Sequence, residues 1–167
     1  KIENNKALLN QLKEDVQTET HVIELFSNAN RRAEEGKYDD AVARLYRTLE
    51  MLGQVEFKKA FGCLNKEVPL DVIPEELKDD YSKRYSYNNQ NILKLPLFAT
   101  FEALPKSSSS YQKYINGKKQ FKKCSHLRNH SILAHGNQPI SKKDFEVYKT
   151  LVLSFIGTVD VPTFPQL

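Results

Sequence analysis

The sequence is poor in the residues and runs that build disulfide-linked, zinc-binding or membrane-spanning proteins. It contains two cysteines, Cys63 and Cys124, which lie far apart and without metal-ligand spacing. Two such thiols form neither a disulfide framework nor a zinc ribbon. No apolar run approaches the roughly 18 residues of a transmembrane helix, and the first residues lack the layout of a signal peptide. We therefore expect a cytoplasmic protein with no membrane association.

The period-two alternation typical of β-strands is also missing, whereas apolar residues recur at helical spacings of three and four. The predicted helices cover 5–36, as one bent helix or two short ones, 39–61, 118–135 and 141–157. Asp39 and Ser141 are suitable N-caps, and Gly62, Gly136 and Gly157 are suitable helix ends. We expect an all-α helical bundle that forms a single domain over residues 1–167.

Residues 65–110 differ from the rest, because Pro69, Pro74, Pro96 and Pro105 interrupt them. We interpret this proline-rich segment as an insertion of short helices and loops, with a helix start at Pro74 and a flexible polar link at 106–110. A break is expected at Asn116-Gly117. The turn around Gly36 is typical of tetratricopeptide repeats, but residues 65–105 hold no second copy, which such a fold requires.

Basic residues concentrate in the C-terminal third of the chain. Between Lys106 and Lys149, nine lysines and Arg128 face Asp144 and Glu146, a net charge of +8, so that the remainder of this chain of net charge +4 carries −4. Such asymmetry fits a surface that meets phosphates, although lysine-rich helix faces are usually just solvated.

Arg128 and His135 are the candidate chemical groups. On one continuous helix they would lie within about 20° of the same face, with roughly 10 Å of axial rise between them. That face carries the apolar side, with Phe121 and Cys124, so the arginine must point into a cleft, towards a partner or towards a charged neighbour. The alternative is an arginine paired with a core carboxylate and a histidine that caps its own helix.

The stretch from Leu127 to Gly136 resembles the HEPN ribonuclease motif. In that motif an arginine is followed by a polar residue and, after four to six intervening residues in all, by a histidine. Arg128, Asn129 and His135 match these positions, with Asn129 to Ala134 as the six intervening residues. The stretch from Ala29 to Glu50 is similar to the C-terminal part of CRISPR-associated proteins that join a nucleotide-sensing CARF domain to an HEPN domain.

This resemblance implies a metal-independent endoribonuclease of antiviral defence that cleaves single-stranded RNA as a homodimer. It also implies an N-terminal domain, not present in this chain, that senses a cyclic oligoadenylate. The start at Lys1 without a methionine suggests a fragment of such a longer polypeptide. No cofactor or metal ion is expected.

The residue types suit attack of the ribose 2′-hydroxyl on its own phosphate. The guanidinium of Arg128 is always charged and binds phosphate oxygens in pairs. His135 can transfer protons, because the reference pKa of histidine is about 6.5, and Asn129 would orient the substrate or His135. A two-fold axis across this helix would bring a second arginine and histidine into one cleft. A row of lysines either binds flanking phosphates or is simply a solvated helix face: Lys118, Lys119, Lys122 and Lys123.

Several alternatives remain open. The chain can be a non-catalytic helical dimerisation or RNA-binding module, or the HEPN partner of a toxin–antitoxin pair. His126 and His130 have the i, i+4 spacing of zinc ligands but lack a third ligand nearby. Arg44 and Arg47 are expected to pair with Glu50 or another acid. Three tyrosines of the insertion can either stack on bases or serve in ordinary packing: Tyr81, Tyr85 and Tyr87.

Overall fold

The structure, a computed structural model, describes residues 10, 18–87, 91–132 and 136–157. Within them the chain forms six α-helices and one two-stranded sheet, so the all-α prediction is confirmed. The helices are α1 (Glu19–Glu34), α2 (Tyr38–Phe61), α3 (Glu75–Tyr85), α4 (Leu97–Glu102), α5 (Ser109–Asn129) and α6 (Lys142–Ile156), and the strands are β1 (Val68–Pro69) and β2 (Ile92–Leu93). None of the described helices combines the length and the apolar character that crossing a bilayer demands.

The described residues fall into two compact units. The first contains the residues up to Leu52 and those from Lys118 onward, and the second contains 53–117. The segment that the sequence predicts as an insertion, 65–110, lies inside the second unit.

The first unit packs one apolar stripe from each long helix. In α2 the predicted stripe is buried, with Val42 and Leu45 fully inaccessible to solvent. The rings of Phe121 and Phe155 meet edge to face at 5.7 Å between centroids. Asp39 carboxylate oxygens accept the backbone N–H of Ile140 at 3.3 Å. These contacts fix the C-terminal half of α5 against α6, and the start of α2 against the segment that precedes α6.

The predicted ends of α2 and α6 are confirmed. Gly62 and Gly157 follow them with positive φ, a backbone conformation that suits glycine. Ser141 caps α6, and its hydroxyl accepts the Asp144 N–H at 3.2 Å. One start differs, because α2 begins at Tyr38 and Asp39 therefore lies in its first turn. Of the helix predicted at 5–36, the part before Thr18 lies outside the described residues, apart from residue 10.

The second unit is built around a short antiparallel two-stranded sheet that the sequence did not indicate. Val68 pairs with Leu93 and Pro69 with Ile92, so each strand is too short to show alternation. The side-chain amide of Asn65 donates to the carbonyl of Leu95 at 3.2 Å and to the Thr100 hydroxyl at 3.0 Å. The predicted helix start at Pro74 is confirmed by α3.

Two sequence predictions about the N-terminal half of α5 are wrong. The link at 106–110 is not a loose tether, because Ser110 is buried and its hydroxyl donates to Oε2 of Glu56 at 3.1 Å. The helix also passes through Asn116-Gly117 without interruption. A helical glycine costs only about 1 kcal/mol relative to alanine, and the burial of Tyr114 and Phe121 on either side outweighs that cost.

Candidate active site

Arg128 lies in the last turn of α5, where its guanidinium stacks on an aromatic ring. Its Cζ is 4.6 Å from the centroid of the Tyr46 ring, which is the geometry of a cation–π contact. Nη1 donates to Oδ1 of Asn129 at 3.2 Å. Nε is buried and has no hydrogen-bond partner among the described residues. Tyr46 and Asn129 therefore hold the guanidinium while part of its donor capacity stays unused.

No carboxylate of the described residues forms an ion pair with Arg128. Two arginines of α2 have acid partners on their own helix: Arg44 pairs with Asp40 at 3.0 Å and Arg47 with Glu50 at 3.2 Å. The ion pairing predicted for these two arginines is confirmed. The described residues thus give no support to the alternative of a carboxylate-paired Arg128, and a guanidinium in this state can bind an incoming anion.

Two uncharged polar groups lie buried next to this arginine. Tyr148 is fully inaccessible to solvent, and its hydroxyl has no hydrogen-bond partner among the described residues. Burial raises the pKa of Tyr148 well above its usual value, against a lowering by the Arg128 charge. Burial likewise raises the pKa of the Cys124 thiol to about 12. Both groups stay neutral at physiological pH, so they do not neutralise Arg128.

The charge of Arg128 also affects the pKa of Tyr46, on whose ring its guanidinium stacks. Burial, followed by the Glu50 carboxylate, raises the pKa of Tyr46, and the guanidinium of Arg128 lowers it. The net direction is upward, so the phenol keeps its proton and presents a neutral ring face to the cation.

The prediction that α5 extends to His135 is wrong, because the helix ends at Asn129. The hydroxyl of Ser131 donates to the Arg128 carbonyl at 2.8 Å, and the Ser131 N–H donates to the same carbonyl at 3.1 Å. A serine that competes for a backbone carbonyl in this way favours a helix end. The argument that Arg128 and His135 share one helix face therefore fails. His135 itself lies outside the described residues.

From Gly136 onward, the chain lies next to the segment that follows α5. The Gly136 N–H donates to the Ser131 carbonyl at 2.9 Å, and Ser131 forms a parallel bridge with Gln138. A Cβ on Gly136 would overlap the backbone carbonyl of His130. Gly136 is thus needed for a close approach of two backbone segments, and it lies two hydrogen bonds away from the carbonyl of Arg128.

The predicted lysine row lies upstream of Arg128 on α5. Lys119, Lys122 and Lys123 are exposed, whereas Lys118 is half-buried. At about 1.5 Å of rise per residue, these lysines lie roughly 7 to 15 Å from Arg128 along the axis. His126, Asn129 and His130 are exposed, and the rings of the two histidines stack at 3.9 Å between centroids.

The other candidate residues separate into buried and exposed groups. Tyr81 is buried and donates to the Ala99 carbonyl at 3.0 Å, and Tyr85 meets its ring edge to face at 5.1 Å. Packing is therefore the role of these two, whereas Tyr87 is 58% exposed. Among the described residues, no cluster of three or more histidine, cysteine, aspartate or glutamate side chains could hold a metal ion.

Sequence reasoning missed the two tyrosines around Arg128. Tyr46 lies one turn from Val42 and from Leu49, so helical periodicity places it at the edge of the buried stripe of α2. Tyr148 belongs to the predicted apolar face of α6. The periodicity of one helix does not identify a partner on another, so no sequence signal links either residue to Arg128.

One comparison with known proteins is informative. Residues 11–158 match a family model described as the Csm6 HEPN domain, and this span includes all six helices as well as Arg128, Asn129 and His135. Comparison with curated proteins and with solved structures gave no significant match. Because the family model covers most of the sequence, the chain belongs to the HEPN-domain family of the CRISPR-associated Csm6 proteins.

Proposed function

We propose that this chain is a cytoplasmic endoribonuclease domain that cleaves single-stranded RNA without a metal ion, as an effector of CRISPR-linked defence. The observation that supports the proposal best is the state of Arg128. Its guanidinium is held by Tyr46 and Asn129, yet no described carboxylate neutralises it. Family membership supports ribonuclease chemistry, and this arginine would supply the positive charge that a phosphoryl centre requires.

In the proposed reaction, the ribose 2′-oxygen attacks the adjacent phosphorus. The new O2′–P bond forms while the P–O5′ bond breaks, which leaves a 2′,3′-cyclic phosphate and a free 5′-hydroxyl. Arg128 stabilises the charge on the non-bridging oxygens. The neutral imidazole of His135 accepts the 2′-hydroxyl proton, and a protonated imidazole donates a proton to O5′. Asn129 keeps Arg128 oriented through the hydrogen bond to Nη1.

The two proton transfers favour two histidines over one. A two-fold axis near the end of α5 would supply the second from another copy of the chain, which makes the active form a homodimer. In the complete protein an N-terminal domain that binds a cyclic oligoadenylate would switch this site. The lysine row would hold flanking phosphates. Salt should then weaken RNA binding and, with it, cleavage. The binding constant should fall by about 0.7 log units per phosphate contact for each tenfold rise in salt concentration.

The test is cleavage of an end-labelled single-stranded RNA by wild-type and variant protein in EDTA. Arg128→Ala should lower the rate by about 10²- to 10³-fold, and His135→Ala by about 10²- to 10⁴-fold. Arg84→Ala and His126→Ala are the matched controls, because they remove an exposed arginine and an exposed histidine outside the proposed chemistry. Both should retain wild-type rates.

The products decide the mechanism. Formation of a 2′,3′-cyclic phosphate product in the presence of EDTA agrees with metal-free attack by the 2′-hydroxyl. Loss of activity in EDTA, or 5′-phosphate products, would contradict the metal-free route. RNA binding without any cleavage by the wild-type protein would instead favour the non-catalytic RNA-binding module.

A further inference from the structure

A groove lies beside the two-stranded sheet of the second unit, and no residue assigned to cleavage belongs to its lining. It has a volume of about 490 Å³ and is lined by Lys66, Glu67, Tyr87, Ile92 and Lys94. We call it the sheet groove. Its size is within the range of roughly 300–1,000 Å³ that is usual for pockets that bind small ligands or parts of larger ones.

Backbone hydrogen bonds hold the walls of the sheet groove in place. The Tyr87 N–H donates to the Ile92 carbonyl at 3.0 Å, and the Lys94 N–H donates to the Tyr85 carbonyl at 3.0 Å. On the other side, the Leu95 N–H donates to the Asn65 carbonyl at 2.8 Å, next to Lys66. The two lysines and the tyrosine therefore project from ordered backbone.

The lysines of the groove differ from others in the same unit. Lys78 and Lys106 pair with Glu75 at 2.6 Å and with Glu76 at 2.8 Å. Lys66 and Lys94, in contrast, are exposed and form no ion pair with a described carboxylate. Among the described residues, Glu67 is the one acid in the groove lining, so the two lysines leave this lining with a net positive charge.

Tyr87 supplies an aromatic surface next to these charges. It is 58% exposed, whereas Tyr81 of the same unit is 1% exposed. An exposed aromatic ring beside unpaired lysines is the combination by which proteins bind single-stranded nucleic acid. The bases stack on the ring and the phosphates lie against the cations. Ile92 adds apolar surface at the base of the groove.

We infer that the sheet groove is a second, non-catalytic contact for single-stranded RNA, with a base stacked on Tyr87 and adjacent phosphates at Lys66 and Lys94. The ligand chemistry, a base joined to phosphate, follows from the groove. RNA as its source rests on the proposed function. The contact goes beyond cleavage, because it would add affinity for the substrate without touching the reacting atoms.

The test measures binding by fluorescence anisotropy of a labelled single-stranded RNA, with every protein carrying Arg128→Ala so that the RNA stays intact. Tyr87→Leu removes the ring, and Tyr87→Phe keeps it. Lys66→Gln combined with Lys94→Gln removes the charges. Lys58→Gln combined with Lys83→Gln is the matched control, because both lysines are exposed in the same unit but outside the groove.

Tyr87→Leu should weaken binding by roughly 5- to 150-fold, the usual effect of losing one stacked base, whereas Tyr87→Phe should bind like its parent. The groove lysine pair should lower the salt dependence of binding by about 1.4 log units per tenfold change in salt, and the control pair by less. Circular dichroism verifies that each variant is folded.

Three results would overturn the inference: equal binding by the Tyr87→Leu variant, equal effects of the two lysine pairs, or no RNA binding by the parent. Competition by AMP at the concentration of the RNA oligonucleotide would also contradict it, because a free nucleotide would then be the better ligand. If Arg128→Ala cleaves RNA like the wild type while the groove variants bind weakly, the proposed active site fails and the groove contact stands.

Discussion

Tyr46 is the residue on which the orientation of Arg128 depends most directly. A cation–π contact of this kind is worth about 0.5 to 2 kcal/mol, and the ring, not the hydroxyl, makes it. Tyr46→Leu should therefore lower the cleavage rate by about 2- to 30-fold, with less effect on KM than on kcat, because the guanidinium loses its orientation and keeps its charge.

The conservative variant distinguishes orientation from general packing. Tyr46→Phe retains the ring face and should restore the wild-type rate. The upfield ring-current shift of the Arg128 side-chain protons in NMR spectra should likewise persist in Tyr46→Phe and vanish in Tyr46→Leu. If both variants lose activity equally while that shift persists in both, Tyr46 does not position Arg128.

Tyr148 and Tyr81 form a matched pair of buried tyrosines with opposite hydrogen-bond states. The hydroxyl of Tyr81 donates to the Ala99 carbonyl, and that of Tyr148 has no partner among the described residues. An unsatisfied buried hydroxyl costs about 1 to 3 kcal/mol. Tyr148→Phe should therefore raise the free energy of unfolding by about 1 kcal/mol, and Tyr81→Phe should lower it by a similar amount.

Urea denaturation of both variants measures this difference. Equal destabilisation by the two substitutions would mean that the Tyr148 hydroxyl has a partner in solution. Cleavage should be unchanged in Tyr148→Phe, since the phenol keeps its proton and contributes no charge to the site.

At the scale of the element, the turn after α5 depends on Gly136. A side chain there would meet the His130 backbone, which cannot move as a flexible side chain would. Gly136→Ala should cost about 1 to 3 kcal/mol of stability by overpacking. It should also reduce cleavage at least tenfold per folded molecule, because His135 directly precedes this glycine in the sequence.

Gly62→Ala is the control for this turn. Gly62 has a φ of 71° at the end of α2, and a Cβ there would meet no atom within 4 Å. Its substitution should cost about 1 kcal/mol through backbone strain alone and leave the cleavage rate intact. Wild-type activity in folded Gly136→Ala would show that the tight return of the chain is dispensable.

The helices show how far sequence patterns predict these elements. The buried stripe of α2, the capped start of α6 and the glycines after both helices follow from periodicity and local capping, and all are present. The end of α5 was not predictable in the same way. A helix through His135 satisfied the pattern, but the Ser131 hydroxyl takes the Arg128 carbonyl and ends it.

The surroundings of the candidate site follow from tertiary packing, which a linear pattern does not encode. The motif singles out Arg128 and Asn129, and their contact is present. The tyrosine that holds Arg128 comes from α2, and the buried hydroxyl near it from α6. The same limit applies to the two-stranded sheet, whose two-residue strands are separated in sequence by α3 and leave no alternation to detect.

For the whole molecule, the central prediction is that two copies share one cleavage site. One chain offers one Arg128 and one His135, whereas the reaction uses a proton acceptor and a proton donor together. Excess His135→Ala protein added to the wild type should therefore suppress cleavage, because each wild-type chain then pairs with one that lacks the second histidine. With RNA in large excess over total protein, loss of free substrate does not contribute.

The control is an equal excess of bovine serum albumin, which should leave the rate unchanged. Sedimentation of the wild-type protein should give a dimer at concentrations at which it is active. A fully active monomer, or a rate that excess His135→Ala protein leaves unchanged, would mean that a single chain completes the reaction and that the second histidine is not needed.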